Sequence, residues 1–273
     1  MSLRNRWFVL VVVALALVLS CKKKDTLAPL TVGEAQEALE ESKLSTQAEM
    51  LVGSTIEIAT NFTIGQAVET AAQELRDFIA SQLPCASITL SGHTLSIEYG
   101  VNPGNCTYNG HTFTGSQSIT VTRNNSGDVE VDHSWTDLSN GVVSVTGTAT
   151  VTWSLAQGSR HVVHELDWTR LADHKTATGS GDREQTALSG GIAEGIEVNG
   201  SRSWDEAAGT WDLAIDGVEI RWLDPVPQAG SYTLVTPAGK TLSMSFTRVN
   251  ATTISVTIKN GDKEYSFDVT SVS

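Results

Sequence analysis

Residues 143–153 read VSVTGTATVTW, and this stretch decides the fold. Apolar residues or glycine occupy every second position, and serine or threonine occupies every position between them. Successive side chains of a β-strand point to opposite faces of the sheet, so the two-residue period predicts a strand with one dry and one wet face. Antiparallel sheets show this alternation because one face packs on the core while the other meets water.

The same alternation recurs from Cys85 to the end of the chain. It covers residues 95–99, 118–122, 128–135, 162–168, 211–215, 218–222, 242–246, 254–258 and 265–269. Asn-Gly or Asp-Gly pairs punctuate these runs at residues 109–110, 140–141, 199–200, 216–217 and 260–261. Such pairs adopt the positive φ values that tight hairpins require. The pattern therefore predicts a meander of hairpins.

Two helices are predicted within a helical segment at residues 32–83. Thr31 and Glu34 fit a capping box, and the helix that follows extends to about Leu51. We expect it to be mostly solvated, because its apolar set is thin. The next helix carries a continuous apolar stripe and ends before Pro84; the stripe comprises Ala67, Val68, Ala71, Ala72, Leu75, Phe78 and Ile79. We expect this stripe to pack on the β region.

The resulting fold class is mainly β, with N-terminal helices followed by a large antiparallel β-meander at residues 84–273. The meander forms a sandwich, a barrel or a strongly curved sheet. Residues 172–185 are polar and contain a Gly-Ser-Gly sequence. They predict either a long loop or a joint between two β lobes near residues 172–190.

Residues 1–20 are predicted to be a secretory signal. Arg4 and Arg6 precede an apolar run at residues 7–19, which is shorter than the about 20 residues that a transmembrane helix needs. The run ends in Val18-Leu19-Ser20-Cys21. This sequence resembles the lipobox of bacterial lipoproteins, with valine in place of the usual leucine. The alternatives are an ordinary signal peptide that is cut nearby and an uncleaved anchor helix.

The resemblance implies cleavage before Cys21, a diacylglyceryl thioether on its sulfur and often an acyl group on the new amino terminus. The partner would then be a membrane, bound through the lipid on Cys21. Residues 21–31 would be the tether, and Lys22–Lys24 would lie at the lipid headgroups. An aspartate after the cysteine keeps some lipoproteins in the inner membrane. Lys22 stands there instead, so the outer membrane is the expected location.

The charge balance excludes one class of partner. The chain has 18 Lys+Arg and 31 Asp+Glu, a formal net charge of −13, and loss of the signal removes two further arginines. Nucleic-acid binding depends on a basic surface, so no nucleic-acid partner is expected. This charge favours solubility of the body.

Cys85 and Cys106 are the two cysteines that remain once Cys21 is lipidated. An exported chain enters an oxidising compartment, so the even remainder predicts a disulfide. A bridge closing a loop of roughly 20 residues stabilises by about 3 kcal/mol. Two free buried thiols are the alternative.

Tryptophans and histidines fall on the apolar faces of several predicted strands. The residues that could face a ligand are Trp135, Trp153, Trp168, His133 and His164. Such rings either fill a core or line a concave surface that binds sugar, peptide or lipid. Burial depends on how the sheet closes, so both interpretations stay open here.

No catalytic, metal or cofactor motif is recognisable. The two histidines of the His161-Val162-Val163-His164 sequence are three apart in a strand pattern, which points them to opposite faces. The chain also lacks a nucleophile elbow, a phosphate loop and a dinucleotide fingerprint. We therefore predict no enzyme, no metal and no cofactor.

The predicted function is that of a membrane-tethered bacterial envelope lipoprotein with a structural or binding role. Its partner would be a protein or a cell-surface polymer. The first alternative is a carrier of lipid or another hydrophobic ligand, and the second is an enzyme acting on envelope or extracellular polymer. A packed interior favours the structural or binding role, whereas a hollow interior favours the carrier.

Overall fold

A computed structural model describes residues 28–60, 68–124, 126, 128–154 and 158–271. Cys21, the signal and the tether as far as residue 27 lie outside these ranges. Two helices come first, α1 (Val32–Thr60) and α2 (Val68–Gln82). The strands are β1 (Ser87–Ser91), β2 (Thr94–Tyr99), β3 (Thr107–Tyr108), β4 (His111–Thr112), β5 (Thr114–Arg123), β6 (Val129–Ser139), β7 (Val143–Ser154), β8 (Ser159–Arg170), β9 (Thr176–Ala187), β10 (Ile196–Glu206), β11 (Gly209–Ile220), β12 (Ala229–Val235), β13 (Thr241–Asn250), β14 (Thr253–Asn260) and β15 (Lys263–Thr270).

Within the described ranges, thirteen strands form one antiparallel sheet in the order β1-β2-β5-β6-β7-β8-β9-β10-β11-β12-β13-β14-β15. Strands β3 and β4 make a separate two-stranded hairpin. The prediction of a large antiparallel meander is confirmed. Of the three predicted forms, the structure has the curved sheet, which remains open because β1 and β15 are its two edges.

Helix α1 lies inside the curve of the sheet, and the prediction of a solvated helix is wrong. Every side chain at positions 41–59 is buried or half-buried. Side chains from β6 (Trp135), β8 (Arg160), β10 (Arg202) and β15 (Tyr265) all reach the segment containing α1. The helix is buried despite its polar composition, because the sheet supplies partners for its polar groups. The sheet face that α1 covers is called the inner face below.

Helix α2 covers the beginning of the meander, as its stripe predicts. Ala71, Ala72, Leu75 and Ile79 are buried, and the helix contacts β1, β2 and β5. Residue 67 and the side chain of Val68 lie outside what the structure describes. The capping box before α1 also forms, because the backbone nitrogen of Thr31 donates to Glu34 at 2.8 Å.

The polar segment at residues 172–185 is not a long loop. Its residues from Thr176 onward form β9, which pairs with β8 on one side and β10 on the other. Its inner-face glycines make room for large neighbours. A Cβ at Gly179 would lie 2.7 Å from the Trp168 ring, and one at Gly181 would lie 2.2 Å from the His164 ring. The strand lacks apolar residues because adjacent side chains fill this part of the core.

Two of the expected turns are β-bulges. Residues 199–200 interrupt the register within β10, and residues 216–217 do so within β11. Gly200 has a φ of 131° and Gly217 a φ of 52°, so the predicted positive φ is present at both. A bulge bends a strand and increases its local twist. These bulges let long strands curve around α1 where the sequence alone suggested hairpins.

Candidate functional site

The disulfide between Cys85 and Cys106 is present, with a Cα–Cα distance of 5.3 Å. The backbone nitrogen of Asn102 donates to the carbonyl oxygen of Cys85 at 2.9 Å. The bridge therefore fixes the loop between β2 and β3 to the end of α2, and the prediction of this pair is confirmed.

The predicted aromatic and histidine residues all lie on the inner face. Trp135, Trp168, His133 and His164 are buried, and Trp153 is half-buried. The structure brings the two histidines to one cross-strand row, since both pair in register with Ala149. The neighbours of these side chains are α1 and the sheet itself. For example, the indole nitrogen of Trp135 donates a hydrogen bond to the hydroxyl of Thr55 at 2.9 Å.

His133 occupies a buried polar niche. One of its ring nitrogens lies 2.9 Å from the side-chain nitrogen of Gln117, and its ring stacks on Trp135 with centroids 5.5 Å apart. Burial lowers the pKa of His133 to about 3, and the positive charge of Arg160 adds to this effect. His133 is therefore uncharged at neutral pH.

Three buried glutamates on α1 form ion pairs with cations of β8, of β9 and of the turn between these strands. Glu41, Glu49 and Glu57 recur at intervals of eight residues. Their partners are Lys175 before β9, Arg183 on β9 with His164 on β8, and Arg160 on β8, respectively. Nε2 of His164 lies 2.8 Å from Oε1 of Glu49, and Arg160 Nη1 lies 2.8 Å from Oε2 of Glu57. We call these residues the ionic ladder.

Two further contacts extend this polar interior. Nη2 of Arg202 on β10 donates to the hydroxyl of Thr46 at 3.0 Å. Lys175 also contacts Glu206, with its ammonium 2.5 Å from the carboxylate. Polar groups of α1 thus find partners along three consecutive strands and the turn between two of them.

The ionic ladder perturbs the acidity of its glutamates in different directions. Burial alone would raise the pKa of Glu49, but Arg183 and His164 outweigh it and hold the pKa well below its usual range. At Glu41 and Glu57 burial prevails over the attraction of Lys175 and Arg160, so both pKa values are raised. Glu49 is thus the most firmly ionised of the three.

The ionic ladder is suited to positioning rather than to reaction. The side chains of Glu49 and Arg183 are each 7% exposed, so a dissolved substrate has no route to them. Buried ion pairs contribute little net stability but can select one register, because any other arrangement leaves charges unpaired. A shift of α1 by one residue would rotate it by about 100° and separate the glutamates from their partners.

Sequence reasoning missed the ionic ladder because it took α1 to be solvated. A signal was nevertheless present in the strand pattern. Arg160 shares the inward-facing positions of Val162 and His164, and Arg202 shares those of Trp204. A basic residue at an inward position predicts a buried acid opposite it, since an unpaired charge is too costly to bury.

A groove of about 460 Å³ crosses the other face of the sheet, which we call the outer face. Small side chains from neighbouring strands form it, including Ser180, Ser201 and Ala214. Glu165 and Asp212 lie in one cross-strand row with Ser180 and Ser203 between them. Such a surface accepts hydrogen bonds from hydroxyl or ammonium groups.

A second cleft, of about 510 Å³, lies where the connection between β11 and β12 meets the tip of the β3–β4 hairpin. Its lining includes Arg221, Trp222 and Leu223, with Gly110 opposite. Leu223 is 42% exposed, and Arg221 contacts Glu194 at 2.7 Å. We call it the far cleft; it combines an exposed apolar side chain with a charged pair.

Comparisons with protein-family models, curated proteins and solved structures found no match. Neither described helix is long and apolar enough to cross a bilayer. Among the described residues, no group of three or more His, Cys, Asp or Glu side chains is arranged to hold a metal ion.

Proposed function

We propose that this protein is an exported lipoprotein of the bacterial cell envelope, anchored by lipid on Cys21 and located at the outer membrane. Its β body has a structural or binding role, with a protein or a cell-surface polymer as partner. The Val18-Leu19-Ser20-Cys21 sequence and the apolar run before it support the anchor.

The observation that carries the structural or binding role is the position of α1. A carrier of hydrophobic ligands needs an apolar cavity, and α1 fills the concave side of the sheet where such a cavity would lie. Opening that space would separate buried charges such as Glu49 and Arg183. Exchange of a ligand through the interior would thus carry a large energetic cost. A filled body leaves its outer surfaces for contact with a partner.

The enzyme alternative receives less support than the binding role. The outer groove carries carboxylates at Glu165 and Asp182, both exposed, and Asp182 is paired with His161 at 2.6 Å. A carboxylic acid that donates protons near neutral pH is usually kept in an apolar pocket. Hydrolysis of an envelope polymer that disappears in Asp182→Asn would favour the enzyme instead.

Anchoring can be tested with two cysteine-to-alanine variants. The wild-type protein should incorporate a labelled fatty acid, and its mature amino terminus should carry the mass of an acylated Cys21. Cys21→Ala should lose the label and be either released or left unprocessed. The matched control, Cys85→Ala with Cys106→Ala, should keep the label, because it changes only the body.

An unlabelled wild-type protein, or a Cys21→Ala variant that still carries acyl chains, would contradict the proposed anchor. For the binding role, the purified body can be tested for retention on isolated cell-wall polymer and on envelope proteins. Co-purification of a lipid inside the body would support the carrier over the binding role.

A further inference from the structure

We infer that the β3–β4 hairpin is a lid on the far cleft, held closed by His111 and released when that histidine binds a proton. The hairpin lies outside the thirteen-stranded sheet, and its tip forms one wall of the far cleft. The lid acts independently of a lipid on Cys21, because every contact that holds it lies within the described body. It adds a control on one surface of the body to the proposed function.

The base of the hairpin is fixed. Cys106, directly before β3, is bonded to Cys85, and its carbonyl oxygen accepts a hydrogen bond from the backbone nitrogen of Phe113 at 2.9 Å. Phe113 is fully buried, with its ring centroid 5.4 Å from that of Tyr99. Movement is therefore confined to the part of the hairpin beyond these anchors.

The tip of the hairpin rests on the far cleft. Its two turn residues, Asn109 and Gly110, have φ values of 47° and 77°, and positive φ at both positions is typical of a tight hairpin turn. A Cβ at Gly110 would lie 1.9 Å from a side-chain carbon of Leu223, so the backbone of the tip packs directly on that side chain. This apolar contact is non-directional. Directional contacts to the surrounding loops come from His111.

His111 joins the hairpin to two separate loops. Its Nε2 lies 3.2 Å from the carbonyl oxygen of Trp222, in the connection between β11 and β12. Its Nδ1 lies 3.2 Å from the side-chain nitrogen of Asn140, in the turn between β6 and β7. A carbonyl oxygen can only accept, so Nε2 carries the hydrogen and Nδ1 accepts from the Asn140 amide. We call these contacts of His111 the latch.

Asn140 cannot adapt to a protonated ring. Its side-chain oxygen accepts hydrogen bonds from the backbone nitrogens of Val142 at 3.0 Å and Val143 at 3.1 Å. The amide nitrogen is therefore the atom that faces His111. A protonated imidazole donates from both nitrogens, so its Nδ1 hydrogen would meet a second donor. Turning the amide around would leave two backbone N–H groups without their acceptor. The latch therefore stabilises the neutral ring and not the charged one.

The surroundings of the ring act in the same direction. Burial lowers the pKa of His111, and the hydrogen bond to the Trp222 carbonyl oxygen offsets this only in part. With the lid open, the ring would meet water and have the usual pKa of about 6.5. The closed lid is therefore fully stabilised above this usual pKa. Its stabilisation is lost as the pH falls through the lowered pKa of the closed state.

Charged side chains near the latch form pairs within the far cleft. Arg221 is paired with Glu194 at 2.7 Å, and Asp224 is paired with Arg248. Each pair combines one positive and one negative charge, so neither imposes a strong net field on His111. The turn at residues 140–142 contains no titratable side chain.

Glu57 on α1 is an acid that also responds to pH in this region. Burial raises the pKa of Glu57, although the positive charge of Arg160 opposes the rise. Burial and the negative charge of Glu57 together raise the pKa of Tyr108 on the hairpin. The experiment therefore has to separate protonation of Glu57 from protonation of His111.

Release of the tip would uncover the floor of the far cleft. Trp222 is 5% exposed with the lid closed, and its ring lies 3.7 Å from the position a Cβ would take at Gly53 on α1. Leu223, which carries the tip, would lose its cover as well. Acidification would thus enlarge the exposed apolar surface at the far cleft, and such surfaces are typical of binding sites.

The test is hydrogen exchange of peptides covering residues 107–112 in the purified protein with its disulfide intact. Exchange is measured at about pH 7.5 and about pH 5, on either side of the usual histidine pKa, and corrected for the intrinsic effect of pH. The corrected wild-type rate should be several-fold higher at the lower pH. His111→Gln should remove this difference, because glutamine offers a donor and an acceptor but does not titrate. His93→Gln is the matched control, since His93 is exposed, and it should behave as the wild type does.

Asn140→Asp is the second variant. Its carboxylate still accepts from the backbone nitrogens of Val142 and Val143, and it also accepts the Nδ1 hydrogen of a protonated His111. A neighbouring carboxylate favours the charged ring. The lid of this variant should therefore stay closed at both pH values.

Equal corrected rates for the wild type at the two pH values overturn the inference. An acid response that persists in His111→Gln also overturns it, because protonation of Glu57 would then release the hairpin. Peptides from β7 and β8 report on the body as a whole, and their corrected exchange should not change. A loss of protection in those strands equal to that of the hairpin would mean general loosening, which contradicts a local lid.

Discussion

Removing the negative charge of Glu49 should destabilise the body more than changing any exposed acid. Glu49→Gln keeps the side-chain volume but leaves Arg183 positively charged in an interior where its side chain is 7% exposed. Arg202 adds a second positive charge nearby. Breaking a buried pair on one side costs about 3–5 kcal/mol, because the remaining charge is uncompensated. This is a large part of the about 5–15 kcal/mol that stabilises a typical domain.

The assay is urea unfolding of the purified protein, followed by the fluorescence of its buried tryptophans. Glu37→Gln is the matched control, since Glu37 is exposed on the same helix; its effect should stay within about 0.5 kcal/mol. Combining Glu49→Gln with Arg183→Met should cost less than the sum of the two single variants, because the pair is removed together. A loss below about 1 kcal/mol for Glu49→Gln would refute the view that the ionic ladder positions α1.

Stability changes are also predicted for a buried histidine, for the disulfide and for a glycine of β9. Burial lowers the pKa of His133 from 6.5 to about 3. The neutral buried ring therefore stabilises the fold fully above pH 6.5, and this stabilisation is lost as the pH falls toward 3. His133→Asn should reduce the loss of stability in this pH window, as measured by urea unfolding at several pH values. Replacing both Cys85 and Cys106 by alanine should lower the free energy of unfolding by about 3 kcal/mol, measured under oxidising conditions, because the bridge closes a loop with a sequence separation of 21. Gly181→Ala should lower the free energy of unfolding by about 1–3 kcal/mol, because the added Cβ clashes with the ring of His164. Gly33→Ala is the control: no atom lies near its added Cβ, so thermal unfolding should show a neutral or stabilising effect.

Each of these predictions has an outcome that contradicts it. His93→Asn is the control for the pH series, because His93 is an exposed histidine and its replacement changes no buried ring. Equal pH profiles for His133→Asn and the wild type would contradict the buried neutral histidine. A double-cysteine variant that keeps its stability when the wild type is oxidised would argue against the bridge. Equal effects of the two glycine substitutions would mean that β9 has room for side chains on its inner face.

Sequence reasoning reached the regular parts of the fold because their signals are local. The alternation at residues 143–153 depends on the geometry of a single strand, and β7 (Val143–Ser154) forms there. The Thr31–Glu34 capping box and the stripe on α2 are equally local, and both are present. The disulfide, which is present, was predicted by counting the cysteines of a chain that is expected to be exported.

The sequence-based predictions were wrong for two segments whose composition does not match their surroundings in the fold. Helix α1 contains Glu41, Glu49 and Glu57 and resembles a solvated helix until the cations opposite it are known. Those cations are up to 134 residues away in sequence, so no local window can pair them. The segment that forms β9 was misjudged for the same reason, because Trp168 and His164 fill the space above its glycines.

By itself, the sequence determined the antiparallel meander, the two helices, the disulfide pair and the basis for predicting a lipid on Cys21. Each follows from short-range periodicity, from composition or from a terminal motif. Tertiary structure decided that the sheet is a single open curve, that α1 lies within it and that Trp135, His133 and His164 face this helix. The physical reason is that burial and charge pairing depend on which distant surfaces meet. These contacts form only when the thirteen sheet strands of the described residues curve around one helix.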